Sequence, residues 1–404
     1  MIKFADLEKD SAYSPRRRYC RLAVNVAAIG LLMLIFTVLP MKNSNVQLIW
    51  TMCVFALMAM SLNVTMGLMG QLSLGQCGFM AVGAYTGTYI AYYFHNAGVF
   101  KNAADGSYYL VFLVALIGGA LAAGIVGLVV GIPALRLRGD YLAILTLGFG
   151  LIVVSVLNNI VGPTINSDIC RLYISSKLQG KFLWLIILVT AVSIALIFTF
   201  GRSKYGRALM SLRDNEIAST ASGINASYYK TVGFVFSAAM AGVAGVLYAA
   251  MMSSLATSSF AFTSPTIYNS VFIVVMVVMG GMGSLTGSVV TGAGMVYINS
   301  LISGLTDVPV IGSIARFPML LYAIVLIIFI MFRPRGIFGN SEFSLYNTIL
   351  ASPRFFKNLP ANTKAFVKNF PKNMKTFGQN VKKGFLSCGD NVKSFFKRNG
   401  GADN

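Results

Sequence analysis

The stretch GRALMSLRDNEIASTASGIN, Gly206 to Asn225, gathers Arg207, Arg213, Asp214 and Glu216 within ten positions. Side chains of this kind can pair with one another, cap a helix or hold a partner protein. A second group is polar without charge: Asn63, Thr65, Gln71, Ser73 and Gln76, followed much later by Ser284 and Thr286. Each stands inside or beside a long apolar run, where a hydroxyl or carboxamide serves either a passing solute or a hydrogen bond to a neighbouring helix. Neither group is equipped for catalysis. No apolar run offers a Ser/His pair, paired Asp residues or a metal-ligand cluster. The five cysteines are scattered without CxxC spacing and read as unpaired, and the single histidine, His95, reads as an interfacial residue.

The elements that hold these residues are built for lipid. Of the 404 residues, 56% are hydrophobic and 11% charged, against roughly 25% charged in a soluble domain. Charge-free runs near 21–41, 47–69, 75–95, 110–132, 141–161, 182–200, 231–252, 266–282, 286–304 and 317–332 approach the roughly 20 residues that a bilayer-spanning helix needs. The fold class is an all-α polytopic membrane protein with about ten transmembrane helices. The polar segment 1–20 ends in Arg16, Arg17 and Arg18, and the run after it is too long for a signal-peptide core, so it reads as a retained span.

Lys and Arg are unevenly shared between the alternate loops. One side takes Arg16–Arg18, Arg21, Arg136, Arg138, Arg202, Lys204, Arg207, Arg213, Arg333 and Arg335. The other takes Lys42, Lys101, Arg171, Lys177, Lys181 and Arg316. The bias places both termini in the cytoplasm, and it turns the net charge of +20 into a matter of topology and lipid contact rather than nucleic-acid binding. The domain reading is a cytoplasmic segment 1–20, a transmembrane domain 21–340 with a cytoplasmic loop 201–229, and a basic tail 341–404. No charge lies well inside a span, where it would cost about 2.5–3.5 kcal/mol. Energy for transport therefore does not enter through an intramembrane carboxylate.

Two local patterns stand out. Met66–Ser73 (MGLMGQLS) matches Met279–Thr286 (MGGMGSLT) at five identical positions plus Ser/Thr. Paired glycine interruptions in two halves point to pseudo-symmetric transporters, or else to two similar turns between close-packed helices. In the opening stretch, Leu209, Leu212, Ile217, Ala221 and Ile224 form an apolar stripe of helical period. Asp214 or Asn215 is placed to N-cap a short helix with Glu216 in its first turn, and Gly223 to follow its C-terminus. Small residues Ala218, Ser219, Ala221 and Ser222 leave room for a close partner, although an ordinary connecting helix resting on headgroups has the same pattern.

Five blocks in order carry a resemblance: SLNVTMGLMGQLSLGQCGFMAVGAYTG (Ser61–Gly87), LRLRGDYLAILTLGFG (Leu135–Gly150), the opening stretch, MGGMGSLTGSVVTGAG (Met279–Gly294) and FRPRGIFG (Phe332–Gly339). On these the chain resembles the permease subunits of ABC importers, specifically the high-affinity branched-chain amino acid family, over roughly residues 50–340. The resemblance implies the importer permease fold and a non-catalytic subunit without cofactors or metals. It implies a similar but distinct second permease, two cytoplasmic ABC ATPases and an extracytoplasmic substrate-binding protein as partners. The block around Glu216, Ala218, Gly223 and Ile224 looks like the coupling helix that sits in a groove of the ATPase. Arg207, Arg213, Glu216, Ala218 and Gly223 are accordingly the coupling candidates. Glu216 and Gly223 stand seven apart where the broader importer pattern has six, which weakens the transfer of Glu216 alone. The pathway candidates are Asn63, Thr65, Gln71, Ser73, Gln76, Ser284 and Thr286, since a binding protein supplies selection and a zwitterion need only be passed weakly. Arg136, Arg138 and Asp140 either pair locally or meet the neighbouring permease. The chain has no GxxxxGK[ST] phosphate loop, so nucleotide chemistry belongs to partners. Relatives that move urea, amides or other amino acids leave those solutes as alternatives. A stand-alone secondary carrier is the alternative from another class; the coupling-like helix and the empty charge inventory favour the dependent subunit.

Beyond the resemblance, Asn358, Asn369, Asn380 and Asn391 recur every eleven residues, with Phe355, Phe366 and Phe377 in step. Eleven residues make three helical turns, so the tail reads either as a basic, aromatic-faced segment on anionic membrane lipid or as a disordered basic tail.

Overall fold

The computed structural model describes residues 2–3, 43–96, 106–135, 141–162, 164–165, 179–252, 255–260, 270–304, 336 and 341–342. The runs expected to span at 21–41 and 317–332, the Arg136–Asp140 cluster, the side chain of His95 and the periodic tail lie outside them. The chain divides into two compact units, Met1–Phe343 and Ser344–Asn404, and every described residue belongs to the first.

Eight of the expected runs coincide with helices. They are α1 (Asn43–Asn63), α2 (Gln76–Asn96), α3 (Gly106–Ala134), α4 (Tyr141–Val161) and α5 (Gln179–Arg202), then, after two short helices, α8 (Ala226–Met251), α9 (Ser270–Gly280) and α10 (Leu285–Gly304). The short pair is α6 (Lys204–Asp214) and α7 (Glu216–Ala221). Apolar side chains without charge drive these segments into lipid, where only a helix or a closed barrel satisfies the backbone. Val46–Leu68, Tyr109–Ala134, Tyr141–Ile160, Leu183–Arg202 and Ala226–Met251 are long and apolar enough to cross a membrane.

The helices at the centre are α1 and α8, each 78% buried over its most apolar window, against 22% for α4 and 28% for α5. They run antiparallel: the Trp50 indole donates to Leu247 O (2.9 Å) near one end, and Ser237 Oγ donates to Ser61 O (2.6 Å) near the other. A Cβ on Gly242 of α8 would lie 2.7 Å from Gly119 O of α3, the close backbone approach that small residues permit in a membrane bundle. Outward, Leu110, Leu113, Ile117, Leu121, Ile125 and Leu128 of α3 are exposed at spacings of three and four, one apolar helical face. Two short antiparallel pairs and one 3₁₀ turn, Thr257–Phe260, accompany these helices. Ile2–Lys3 pairs with Ser341–Glu342, and Thr164–Ile165 with Leu255–Ala256. The latter joins the loop after α4 to the segment after α8, reinforced by Thr257 Oγ1 donating to Asn158 Oδ1 (3.0 Å).

Candidate functional site

α1 does not end cleanly. It continues as one π turn, Val64–Leu68, with Met69 N donating to Val64 O (3.2 Å) and Gln71 N reaching back to Thr65 O (3.0 Å). Gly70 then takes φ +70°, and residues 71–75 run without helical structure into α2. In the second half, α9 stops at Gly280, Gly281 and Gly283 take φ of 108° and 96°, and α10 begins at Leu285. The run expected at 266–282 thus ends two residues early, because these backbone angles lie outside the helical region.

The two matched breaks meet. Asn63 Nδ2 donates to Ser284 O (2.9 Å) and Ser288 Oγ (2.7 Å), while its Oδ1 accepts from Gly283 N (3.0 Å). A Cβ on Gly67 would lie 2.5 Å from Gly283 N, so this contact admits no side chain. Gly336, from FRPRGIFG, is buried against Gly280 and Gly281. Asn63→Leu should destabilise the bundle by about 1–3 kcal/mol, since it strands buried backbone groups of the other half. A lowered unfolding midpoint in detergent checks this, and an unchanged midpoint counts against it.

The uncharged polar candidates now separate. Asn63 is spent between the breaks, and Gln76 Nε2 donates to Ser61 Oγ (2.8 Å) and Ser237 Oγ (3.2 Å). Thr65 Oγ1 bonds back to Leu62 O (2.8 Å). Ser284 Oγ accepts from Gly287 N (3.2 Å) and lies 3.4 Å from Thr286 Oγ1. Gln71 Oε1 and Ser73 Oγ, in contrast, are buried with no hydrogen-bond partner among the described residues. Both sit on the nonhelical segment, which borders a small cleft lined by Leu74, Gly78, Leu147 and Phe260.

Beneath the breaks lies the charged stretch, folded as a capped hairpin. Ser203 accepts from Tyr205 N and Gly206 N to start α6. Of the two candidate caps for α7, Asn215 is the one used: its Oδ1 accepts from Ala218 N (3.0 Å). Gly223 N donates to Thr220 O (3.0 Å) and Ile224 N to Ser219 O (3.1 Å), with Gly223 at φ +89°, a complete Schellman stop. Asn225 then caps α8 through Tyr228 N (3.2 Å). Ser211 and Ser219 join α6 to α7 by a 2.6 Å hydroxyl pair.

The single apolar stripe expected here is not one face. Leu209 and Leu212 are buried in the bundle, whereas Ile217 is 82% exposed. Asn215, at φ −156°, interrupts the helix between them and turns the second half outward. Glu216, Ala218, Ala221 and Gly223 are exposed with Ile217, and Arg207 is exposed on α6.

Two charged side chains tie this hairpin to the bundle. Lys230 Nζ donates to Glu216 Oε1 at 2.8 Å, with the lysine side chain 10% and the glutamate 46% exposed. Arg213 Nη1 donates to Gly67 O at 2.6 Å, while Nε and Nη2 donate to Asp214 Oδ1 at 3.2 and 3.0 Å. Arg213 therefore joins the coupling candidates to the breaks. Lys230, Ser61, Ser237 and Ser288 went unnoticed in the sequence. Only Lys230 carried a signal, as the one charge in the 26 residues of α8.

The family model described as "Branched-chain amino acid transport system / permease component" matches residues 44–331. The chain belongs to that family. The high-affinity branched-chain amino acid transport system permease protein LivM of Salmonella typhimurium is 30% identical over 326 residues, 73% of this chain and 70% of that protein. LivM of Escherichia coli K12 is 31% identical over 314 residues, 70% and 67% of the two chains. A probable branched-chain amino acid transport permease protein LivM of Methanocaldococcus jannaschii is 25% identical over 258 residues, 58% of this chain and 74% of that one. No solved structure matches the chain. This permease is a multi-pass membrane protein, and the matched range encloses both breaks, the capped hairpin and α8.

Proposed function

We propose that this chain is a transmembrane permease subunit of an ATP-driven importer that moves branched-chain amino acids across the bacterial cytoplasmic membrane. About ten spans, with both termini and the hairpin in the cytoplasm, follow the Lys/Arg bias of its loops. Its partners are a distinct second permease, two ABC ATPases and an extracytoplasmic binding protein. The observation that carries the ATPase side of this reading is α7, a short helix closed by a cap at each end, whose outer face of Ile217, Ala218 and Ala221 is exposed and unused by the bundle. Arg207, Ala218 and Gly223 belong to that docking surface, while Arg213 and Glu216 hold it to the bundle. For the pathway, the reading narrows to Gln71 and Ser73, whose hydrogen-bonding capacity a zwitterion in transit can use. The names of the relatives support the choice of solute.

The test is a reconstituted complex purified through the tagged full-length chain. Leucine, isoleucine and valine, presented with the binding protein, should stimulate ATP hydrolysis, and the chain alone should give no concentrative uptake. Stimulation by urea or short amides instead would change the solute. Coupled uptake by the isolated chain would favour a stand-alone carrier.

A further inference from the structure

We propose that Arg213 is the strut that carries movement of α7 to the two helix breaks, acting as a positioning residue on its own chain rather than as an ATPase contact. The inference rests on the reading that ATPases dock against α7. Gln71 N bonds to Thr65 O (3.0 Å) across the break that follows the π turn, where Gly70 takes φ +70°, so the amide four residues past Gly67 is drawn away from Gly67 O. The Arg213 guanidinium takes that carbonyl at 2.6 Å, in a charge-assisted bond. Its stem crosses the face of Gly70, where an added Cβ would lie 2.6 Å from Arg213 Cγ. Its Nη1 would lie 3.3 Å from a Cβ on Gly283. Gly70 and Gly283 are the corresponding glycines of the two matched segments, and one side chain runs past the face where each would carry a Cβ.

The other edge of the guanidinium is fixed to Asp214, next to the Asn215 cap that opens α7. A guanidinium presents its donors on one rigid plane, so displacing Asp214 displaces Gly67 O. The breaks lie close at hand: Gly233, seven residues and about 10 Å into α8, would place a Cβ 2.9 Å from Met69 Sδ and 2.8 Å from Leu209 Cδ1. Break, strut and α6 therefore share one level of the bundle. A change in α7 has a short, polar route to the point where both halves of the permease lose their helical hydrogen bonds.

The experiment compares Arg213→Lys and Arg213→Gln in the complex purified through the tagged full-length chain and reconstituted in phosphatidylethanolamine–phosphatidylglycerol vesicles. Lysine keeps the charge but cannot bridge Gly67 O and Asp214 with one plane. Labelled leucine transported per ATP hydrolysed should fall on the order of tenfold in Arg213→Lys and further in Arg213→Gln, while the ATPases co-purify as with the native chain. An unchanged ratio overturns the proposal. So does loss of the ATPases from the variants alone, which makes Arg213 a docking residue and leaves the importer reading standing. Failure of both variants to accumulate in the membrane makes Arg213 a folding residue and overturns it as well. Absence of ATPases from the native complex would instead remove the importer reading.

Discussion

Gly223→Pro should reduce uptake to background while the chain still inserts in the membrane. Gly223 stands at φ +89°, a conformation that costs an L-residue roughly 1–2 kcal/mol and that proline, locked near −65°, cannot adopt. Proline also removes the N–H that donates to Thr220 O. The Schellman stop is lost, and with it the angle at which α7 turns back into α8. The damage should stay local, because nothing lies within 4 Å of the position a Cβ would take at Gly223. The same open space makes Gly223→Ala a graded companion, losing uptake partially through backbone strain alone. Uptake of labelled leucine, membrane abundance and ATPase co-purification should be read together. Wild-type uptake in Gly223→Pro would remove the end of α7 from coupling.

That contrast also separates what was legible in the sequence from what was not. The helices were legible because charge is excluded from lipid-facing segments, and eight charge-free runs coincide with them. Caps were nearly legible: Asn215 was one of two candidates, and Gly223 stands where its missing side chain is needed. The stripe from Leu209 to Ile224 was misread because a periodic count assumes one continuous helix. The extended Asn215 backbone rotates the register, sending Leu212 inward and Ile217 outward. The echo of Met66–Ser73 in Met279–Thr286 was visible as a pattern, but a pattern carries no distance. That Asn63 bridges the two breaks depends on the packing of α1 against α10, where Gly292 brings the backbones together beside Ala56. The same packing commits Asn63 and Gln76 to hydrogen bonds between helices, which was not legible because a carboxamide looks alike in sequence whether it faces a solute or a neighbouring helix.

The second large effect concerns the pair that holds α7 to α8. Lys230→Glu should lower uptake on the order of 100-fold. Breaking a buried pair costs about 3–5 kcal/mol, which the half-exposed position of Glu216 reduces to about 2–3 kcal/mol, and each 1.4 kcal/mol is about tenfold. Glu216→Lys should fail for the same reason, setting two cations where Nζ and Oε1 now stand 2.8 Å apart. The decisive variant is the exchange, Glu216→Lys with Lys230→Glu, which rebuilds the ion pair in reverse and should recover most of the uptake. Recovery means that Glu216 works through α8, fixing where α7 stands. If the exchange stays inactive while the ATPases no longer co-purify, Glu216 acts on the partner itself, which then meets the wrong charge. The geometry favours recovery. Glu216 is tied to a lysine whose side chain is only 10% exposed, and leaving that lysine to serve the ATPase would strand a buried cation at the base of α8. The outward face of α7 is left to Ile217, Ala218 and Ala221, so under the proposed docking α7 meets the ATPase by shape, with Arg207 of α6 as an exposed charge beside it.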